Sequence, residues 1–77
     1  MPPKIPALRA KQVVAALLKA GFYVHHQRES HARLLHKQRP ELRVTIPIHN
    51  KELPPSFVKN RILRQAGLSE EEFLALL

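Results

Sequence analysis

The sequence predicts an α+β fold in which a three-stranded antiparallel sheet carries its helices on one face. Apolar residues recur first at helical spacing, then alternate with polar residues over three short segments, and finally return to helical spacing. Glycine or proline stands near each change of pattern, at Gly21, Pro40, Pro47 and Gly67. The predicted order is therefore α-β-β-β-α-α, an antiparallel meander with its helices packed on one side.

The first helix is preceded by a proline-containing segment. Residues 1–8 include three prolines, which cannot donate a backbone hydrogen bond, so this segment is expected to be irregular. Gly21 stands where a helix commonly ends in a left-handed residue. A helix is predicted from Arg9 to Ala20, because apolar residues recur at helical spacing opposite lysine and glutamine: Val13, Val14, Leu17 and Leu18.

The first strand is predicted over residues 22–27. Because successive strand side chains point to opposite faces of a sheet, Phe22 and Val24 are assigned to the core side, and Tyr23 and His25 to the outer side. A tight turn then leads to a second strand that opens at Ser30-His31, so the two strands are antiparallel.

A charged turn, Arg39-Pro40-Glu41, separates the second strand from the third, which is predicted over residues 42–46 and ends at Pro47. With the apolar residues of both strands directed to the core, the opposite face is open. It carries His31 and Arg33 from the second strand, and Arg43 and Thr45 from the third. A histidine and two arginines on one open face are suited to holding a phosphodiester.

Two helices are predicted after the sheet. The first starts at Pro54-Pro55, where a missing amide costs nothing, and ends at Gly67. Ser69 followed by Glu72 is a capping box for a short last helix. Its F-L-A-L-L end is compatible both with packing on this domain and with docking a partner. The apolar stripe of the earlier helix comprises Phe57, Val58, Ile62, Leu63 and Ala66.

Charge and composition restrict the class of protein. The 77 residues hold 13 Lys and Arg against 6 Asp and Glu, a formal net charge of +7, and form one domain of residues 1–77. This excess favours nucleic acid, an anionic membrane surface or an acidic protein as partner. Without cysteine there is no disulfide framework or thiolate metal site. No apolar run reaches the roughly 18 residues of a membrane span and the start lacks a signal peptide, so a cytoplasmic protein is expected.

The histidine and arginines of the open face have the chemistry that RNA strand scission needs. The ribose 2′-hydroxyl attacks the neighbouring phosphate, and no metal is obligatory. A histidine can take up and release protons near neutral pH, and guanidiniums can stabilise the charge that develops on phosphorus. His31 is therefore the candidate acid/base, with Arg33 and Arg43 as electrostatic support.

Other residues are assigned supporting roles in RNA binding or structural roles. Ser30 can donate to a phosphate or cap the turn, and Tyr23 is the only aromatic residue placed to stack a base. His25 is a candidate for RNA binding or for a second proton transfer, and Lys51 is a further candidate for RNA binding. RNA binding should be directed mainly at phosphates and be sensitive to salt. His26 and His36 fall on the inward phase or at strand ends, so structural roles are predicted for both, and His49 is expected to order its loop. No cofactor is expected, and the histidines lack the spacing of a metal site.

The residues at the boundaries between the predicted helices and strands resemble those of the HicA family of bacterial toxins. These are small RNA-cleaving proteins with a fold like the double-stranded RNA-binding domain (dsRBD). The resemblance covers most of the chain and rests on an ordered set of short motifs. These are A-G-F at 20–22, S-H at 30–31, V-T-I-P-I-H at 44–49, K-E-L-P-P at 51–55 and I-L-R-Q-A-G-L-S-x-E-E-F at 62–73.

The resemblance implies a dsRBD-like fold and a toxin that cleaves mRNA without a metal. It makes His31 the catalytic residue and implies a HicB-like antitoxin that covers the His31 face. The free toxin is expected to be a monomer that forms a hetero-oligomer with its antitoxin. One residue departs from the family's usual Gly-Ser-His, since Glu29 stands where the glycine would be, and a reduced or altered activity is the expected consequence.

Two other functions remain open from the sequence. The same fold and charge suit a non-catalytic RNA-binding module, which the Glu29 departure favours somewhat. They also suit an interaction subunit whose basic face binds only an acidic partner protein.

Overall fold

The computed structural model describes residues 5–28, 30–48 and 51–77. The bounds of its elements are α1 Ala10–Lys19, β1 Phe22–Arg28, β2 His31–His36, β3 Arg43–Pro47, α2 Pro55–Phe57, a π-helical segment Val58–Ile62, α3 Leu63–Ala66 and α4 Glu70–Leu74.

The three strands form one antiparallel sheet in the order β1-β2-β3, as predicted. Helix α1 packs against β1 and β3, while the π-helical segment and α3 pack against β3. Ala32 and Leu34 of β2 are buried beneath these helices, whereas His31 and Arg33 are exposed. The helices therefore cover one face of the sheet and leave the other open, which confirms the predicted α+β, dsRBD-like arrangement.

Gly21 ends the first helical region in the left-handed conformation, with φ +101°. A side chain there would collide with His36, since a Cβ would lie 2.8 Å from its Nε2 atom. His36 Nε2 lies 2.9 Å from the carbonyl oxygen of Ala20, and its Nδ1 accepts from the Gln38 amide at 3.1 Å. Nε2 therefore carries the proton and donates to Ala20, so His36 ties the end of β2 to the end of α1, in keeping with its predicted structural role.

A bulge in β1 changes the face that its later residues occupy. Val24 pairs with Leu34, but the next paired residue of β1 is His26, opposite Arg33, so His25 and His26 together oppose one residue. Beyond the bulge, each residue of β1 lies on the face opposite to the one that simple alternation from Phe22 would give. The prediction that His26 lies on the inward phase is wrong for this reason, because Arg33 belongs to the open face.

Val24 lies on the core side of the sheet, as predicted, but it is less buried than expected. It pairs with the fully buried Leu34, yet 39% of its surface is exposed. The cause is the position of β1 at the edge of the sheet, where α1 covers the strand only in part.

The second helical region starts at Pro55 and ends at Gly67, which is left-handed with φ +70°, as predicted. It is not a regular α-helix, because Val58–Ile62 forms a π-helical segment between α2 and α3. Gln65 of α3 accepts a hydrogen bond from the Thr45 amide at 3.1 Å. Because β3 is an edge strand, the Thr45 amide has no partner strand to bind among the described residues. The hydrogen bond to Gln65 satisfies this amide and fixes α3 beside β3.

The C-terminal helix α4 packs on the domain. The predicted capping box is present, with the Glu72 amide donating to Ser69 Oγ and the Ser69 amide to Glu72 Oε1, both at 3.0 Å. Phe73 is fully buried in the core, and Lys59 forms a 3.0 Å ion pair with Glu70.

The segment before α1 has no helix or strand over residues 5–8 except a single bridge between Leu8 and Leu53. Ile5 and Leu8 are nevertheless buried in the core. None of the helices within the described ranges combines the length and apolar character needed to cross a membrane.

Candidate nucleic-acid interface

The open face of the sheet carries three rows of side chains that run across its strands, because paired residues of neighbouring strands point to the same side. The first row contains Arg28, His31 and Pro47. The second contains His26, Arg33 and Thr45, with His25 beside His26 in the bulge. The third contains Tyr23, Leu35 and Arg43.

The first two rows enclose a depression in the open face. It is lined by His25, His26, Arg28, His31, Arg33 and Thr45. A second, neighbouring depression extends toward the third row and includes His25, Arg33 and Arg43. The three rows contain three arginines and no acidic residue, so this face is suited to binding an anion.

His31 opens β2 and lies at the end of the hairpin. Its Nδ1 atom is 3.0 Å from the hydroxyl oxygen of Ser30, which fixes the ring orientation and leaves Nε2 for a bound group. Arg28 is its direct partner on β1, and Arg33 follows two residues along the same strand. The imidazole is therefore flanked by two guanidiniums in a single depression.

Arg28 also contacts the bulge. Its Nε atom donates to His26 Nε2 at 3.1 Å, so in this arrangement the His26 ring is neutral with its proton on Nδ1. His26 and Arg28 are thus hydrogen-bonded to each other in the depression that also contains His31 and Arg33.

The predicted site residues fall into three sets. Ser30, His25 and Arg33 lie with His31 at or around the first depression. Tyr23 and Arg43 share the open face but lie in the third row. That row is four residues from the row of His31 along β2 and β3, which is about 13 Å at about 3.3 Å per residue. Lys51 is exposed in the loop before α2 and does not line either depression.

The sequence interpretation missed Arg28 and His26, and it placed Thr45 on the open face without assigning it to the site. Arg28 could have been found, because only two residues separate it from His31, and a two-residue hairpin pairs the residues on either side of the turn. His26 could not, because its placement depends on the bulge. The expectations for Glu29 and His49 concern residues outside the described ranges.

Within residues 5–28, 30–48 and 51–77, no three His, Asp or Glu side chains come together in a way that could hold a metal ion. His36, the remaining described histidine, is held by Ala20 and packs edge-on against Phe22 with ring centroids 4.9 Å apart, away from the depression.

Comparison with known proteins identifies the family. The family model for the HicA toxin of bacterial toxin-antitoxin matches residues 10–68, from the start of α1 to just beyond α3. No curated protein matches the chain. Because the matched region covers most of the 77 residues, including the whole sheet, this chain belongs to the HicA toxin family and is the toxin of a toxin–antitoxin pair.

Proposed function

We propose that this toxin is a metal-independent endoribonuclease that cleaves mRNA, with His31 as a catalytic acid/base. The observation that carries the proposal is the position of His31 between Arg28 and Arg33 in one depression of the open face. The ring is exposed, so a substrate can reach it, and Ser30 holds its Nδ1 atom.

The reaction joins the ribose O2′ to phosphorus while the bond from phosphorus to O5′ breaks. A proton leaves the 2′-hydroxyl and another reaches O5′, giving a 2′,3′-cyclic phosphate on one fragment and a 5′-hydroxyl on the other. His31 transfers protons in this step, and the guanidiniums of Arg28 and Arg33 stabilise the additional negative charge on the phosphoryl oxygens.

The rest of the open face binds the flanking strand. Arg43 is too far along β3 to share the reacting phosphate, and serves a neighbouring phosphate instead. Tyr23, which packs edge-on against His25 with ring centroids 6.5 Å apart, offers an exposed ring for stacking a base. Ser30 and His25 contribute polar contacts, and Lys51 contributes charge outside the depression.

The antitoxin, in this proposal a HicB-like protein, inhibits by covering the open face, which converts a free monomer into a hetero-oligomer. The exposed arginines there favour an acidic partner surface. The substitution Arg33→Glu should then weaken antitoxin binding, whereas Arg64→Glu, on the helical side of the domain, should not. An equal loss of antitoxin affinity in the two variants would mean that the antitoxin binds outside the open face.

The test is incubation of purified protein with labelled single-stranded RNA in EDTA, with His31→Ala and Gln27→Ala beside the wild type. Gln27 is exposed on the neighbouring strand β1 but pairs with the buried Ala32, so it is a control on the opposite phase from the residues of the open face. We expect cleavage by wild type and Gln27→Ala, and none by His31→Ala. Salt-sensitive binding without cleavage by all three would support the non-catalytic RNA-binding module instead.

A further inference from the structure

We propose that His26 is the second proton-transfer group of this site, acting as the general base while His31 acts as the general acid. The inference rests on the proposed ribonuclease function and assigns its two proton transfers to two different residues. It depends on the bulge in β1, which places His26 on the open face.

The position of His26 follows from the register. Arg28 lies opposite His31, and His26 lies opposite Arg33, so His26 and His31 are diagonal neighbours across β1 and β2. Such neighbours are about 7–8 Å apart, within reach of aromatic side chains. Both rings line the same depression, with Arg28 and Arg33 completing its wall. Two imidazoles at this spacing can approach one phosphodiester from opposite sides.

The hydrogen bonds of the two rings are compatible with these two roles, and that of His26 favours the base. His26 Nε2 accepts from Arg28 Nε, so this atom is unprotonated and can take a proton once Arg28 turns to the phosphate. His31 Nδ1 lies on the Ser30 hydroxyl, which can accept from it when the ring is protonated and both of its nitrogens are donors. This contact is compatible with a protonated His31 ring, the form that an acid requires.

The step balances with these two groups alone. His26 Nε2 takes the proton of the 2′-hydroxyl as the O2′–P bond forms. His31 gives a proton to O5′ as the P–O5′ bond breaks. The two rings end with exchanged protonation states, and proton exchange with water restores them.

The experiment compares two substrates that differ only at the leaving group. The cut site is mapped with the wild type, and RNA is then made with either the natural phosphodiester or a 5′-bridging phosphorothiolate there. A thiolate leaves without protonation, so the sulfur substrate bypasses the general acid but not the general base. Wild type, His26→Ala, His31→Ala and Gln27→Ala are compared on both, and RNA affinity is measured with a 2′-deoxy analogue that cannot be cut.

We expect His26→Ala and His31→Ala each to lose about 10²-fold or more in rate on the natural RNA. The sulfur substrate restores His31→Ala and leaves His26→Ala defective, while the affinity of His26→Ala for the uncleavable analogue stays within about threefold of wild type. Gln27→Ala behaves as wild type throughout.

Three outcomes would overturn the assignment. The first is cleavage of natural RNA by His26→Ala as fast as by Gln27→Ala. The second is a loss of rate in His26→Ala that is matched by an equal loss of affinity. The third is restoration of His26→Ala, instead of His31→Ala, by the sulfur substrate. In each case a cleaving wild type leaves the ribonuclease function standing. A wild type that does not cleave overturns the ribonuclease function, and the role of His26 with it.

Discussion

Arg28 lies directly opposite His31 in the antiparallel pairing of β1 and β2, at the end of the hairpin. Opposed residues on one face have their Cβ atoms about 4.5–5.5 Å apart, so the guanidinium and the imidazole can contact the same phosphate. Arg43, by contrast, stands two rows away. In the proposed mechanism, this relationship makes Arg28, rather than Arg43, the partner of Arg33 in supporting the reacting phosphate.

Replacing Arg28 with alanine should reduce the rate of RNA cleavage by at least about 10-fold. The loss is smaller than the roughly 10²–10³ of an enclosed oxyanion site because this face is open to water. Arg43→Ala should lower affinity more than rate. Single-turnover cleavage and RNA binding measured side by side separate these effects, with Arg64→Ala on α3 as the control. A larger loss of rate for Arg43→Ala than for Arg28→Ala would contradict the row assignment.

Arg33 should contribute a phosphate contact that salt weakens. Neutralising one phosphate of a single strand contributes about 0.7 to the slope of log affinity against log salt concentration, so Arg33→Ala should lower that slope by about 0.7. Arg61, exposed on the helical side, offers a matched comparison, and Arg61→Ala should leave the slope unchanged. Equal decreases for both variants would mean that RNA also follows the helical side.

Gly21 should be more sensitive to substitution than Gly67. Both are left-handed, which costs an alanine about 1–2 kcal/mol. A Cβ at Gly21 would also lie 2.8 Å from His36 Nε2, whereas one at Gly67 would meet Leu42 at an ordinary 3.7 Å. Gly21→Ala therefore displaces His36 from Ala20 and loses about 1 kcal/mol more of the free energy of unfolding. Urea denaturation of the two variants measures the difference, and equal stabilities would show that His36 adjusts without cost.

The helix α4 should be necessary for the stability of the domain, because its Phe73 is fully buried in the core. Removing a fully buried phenylalanine side chain costs about 3–5 kcal/mol of the free energy of unfolding, a large share of the stability of a small domain. Leu18→Ala is a suitable control because 48% of Leu18 is exposed. Thermal denaturation should show a large decrease in Tm for Phe73→Ala only. A small decrease would mean that α4 is dispensable.

The capping box of α4 should make a small part of the stability dependent on pH. The pKa of Glu72 lies below its usual value near 4.5, because the Ser69 amide, and then its hydroxyl, hydrogen-bond to Glu72. A carboxyl whose pKa is lowered by folding stabilises the folded state above its unfolded-state pKa. That contribution disappears as the pH falls through the folded-state pKa.

Glu72→Ala should therefore be less stable than wild type at pH 7, with a difference that shrinks below pH 4.5. Urea unfolding of both proteins from pH 7 to pH 3 tests this. Glu71→Ala, which lies in the same first turn outside the capping box, should show no such convergence. A difference that stays constant with pH would argue against the charged cap.

The sequence was sufficient for the fold because the local signals agree with one another. Gly21 and Gly67 end helices, Ser69 and Glu72 cap one, and the alternation around His31 and in β3 matches the buried and exposed residues. The faces of β2 and β3 could be read directly, since both strands pair without irregularity.

The later part of β1 could not be read in this way. A bulge adds one residue against Arg33, and no glycine or proline in residues 22–28 marks it, so simple alternation assigns His26 to the wrong phase. The π-helical turn at Val58–Ile62 has no sequence signal either, because its apolar residues fit an α-helical stripe equally well. Neither irregularity could therefore be predicted from local sequence preference.

The most direct test of the central claim is mass analysis of the RNA fragments that wild type and His31→Ala produce in EDTA. The account predicts fragments with a 2′,3′-cyclic phosphate at one end and a 5′-hydroxyl at the other. It also predicts no cleavage of the same strand carrying a 2′-deoxynucleotide at the cut site, and none of either strand by His31→Ala. Fragments with 5′-phosphate ends, or undiminished cleavage by His31→Ala, would contradict it.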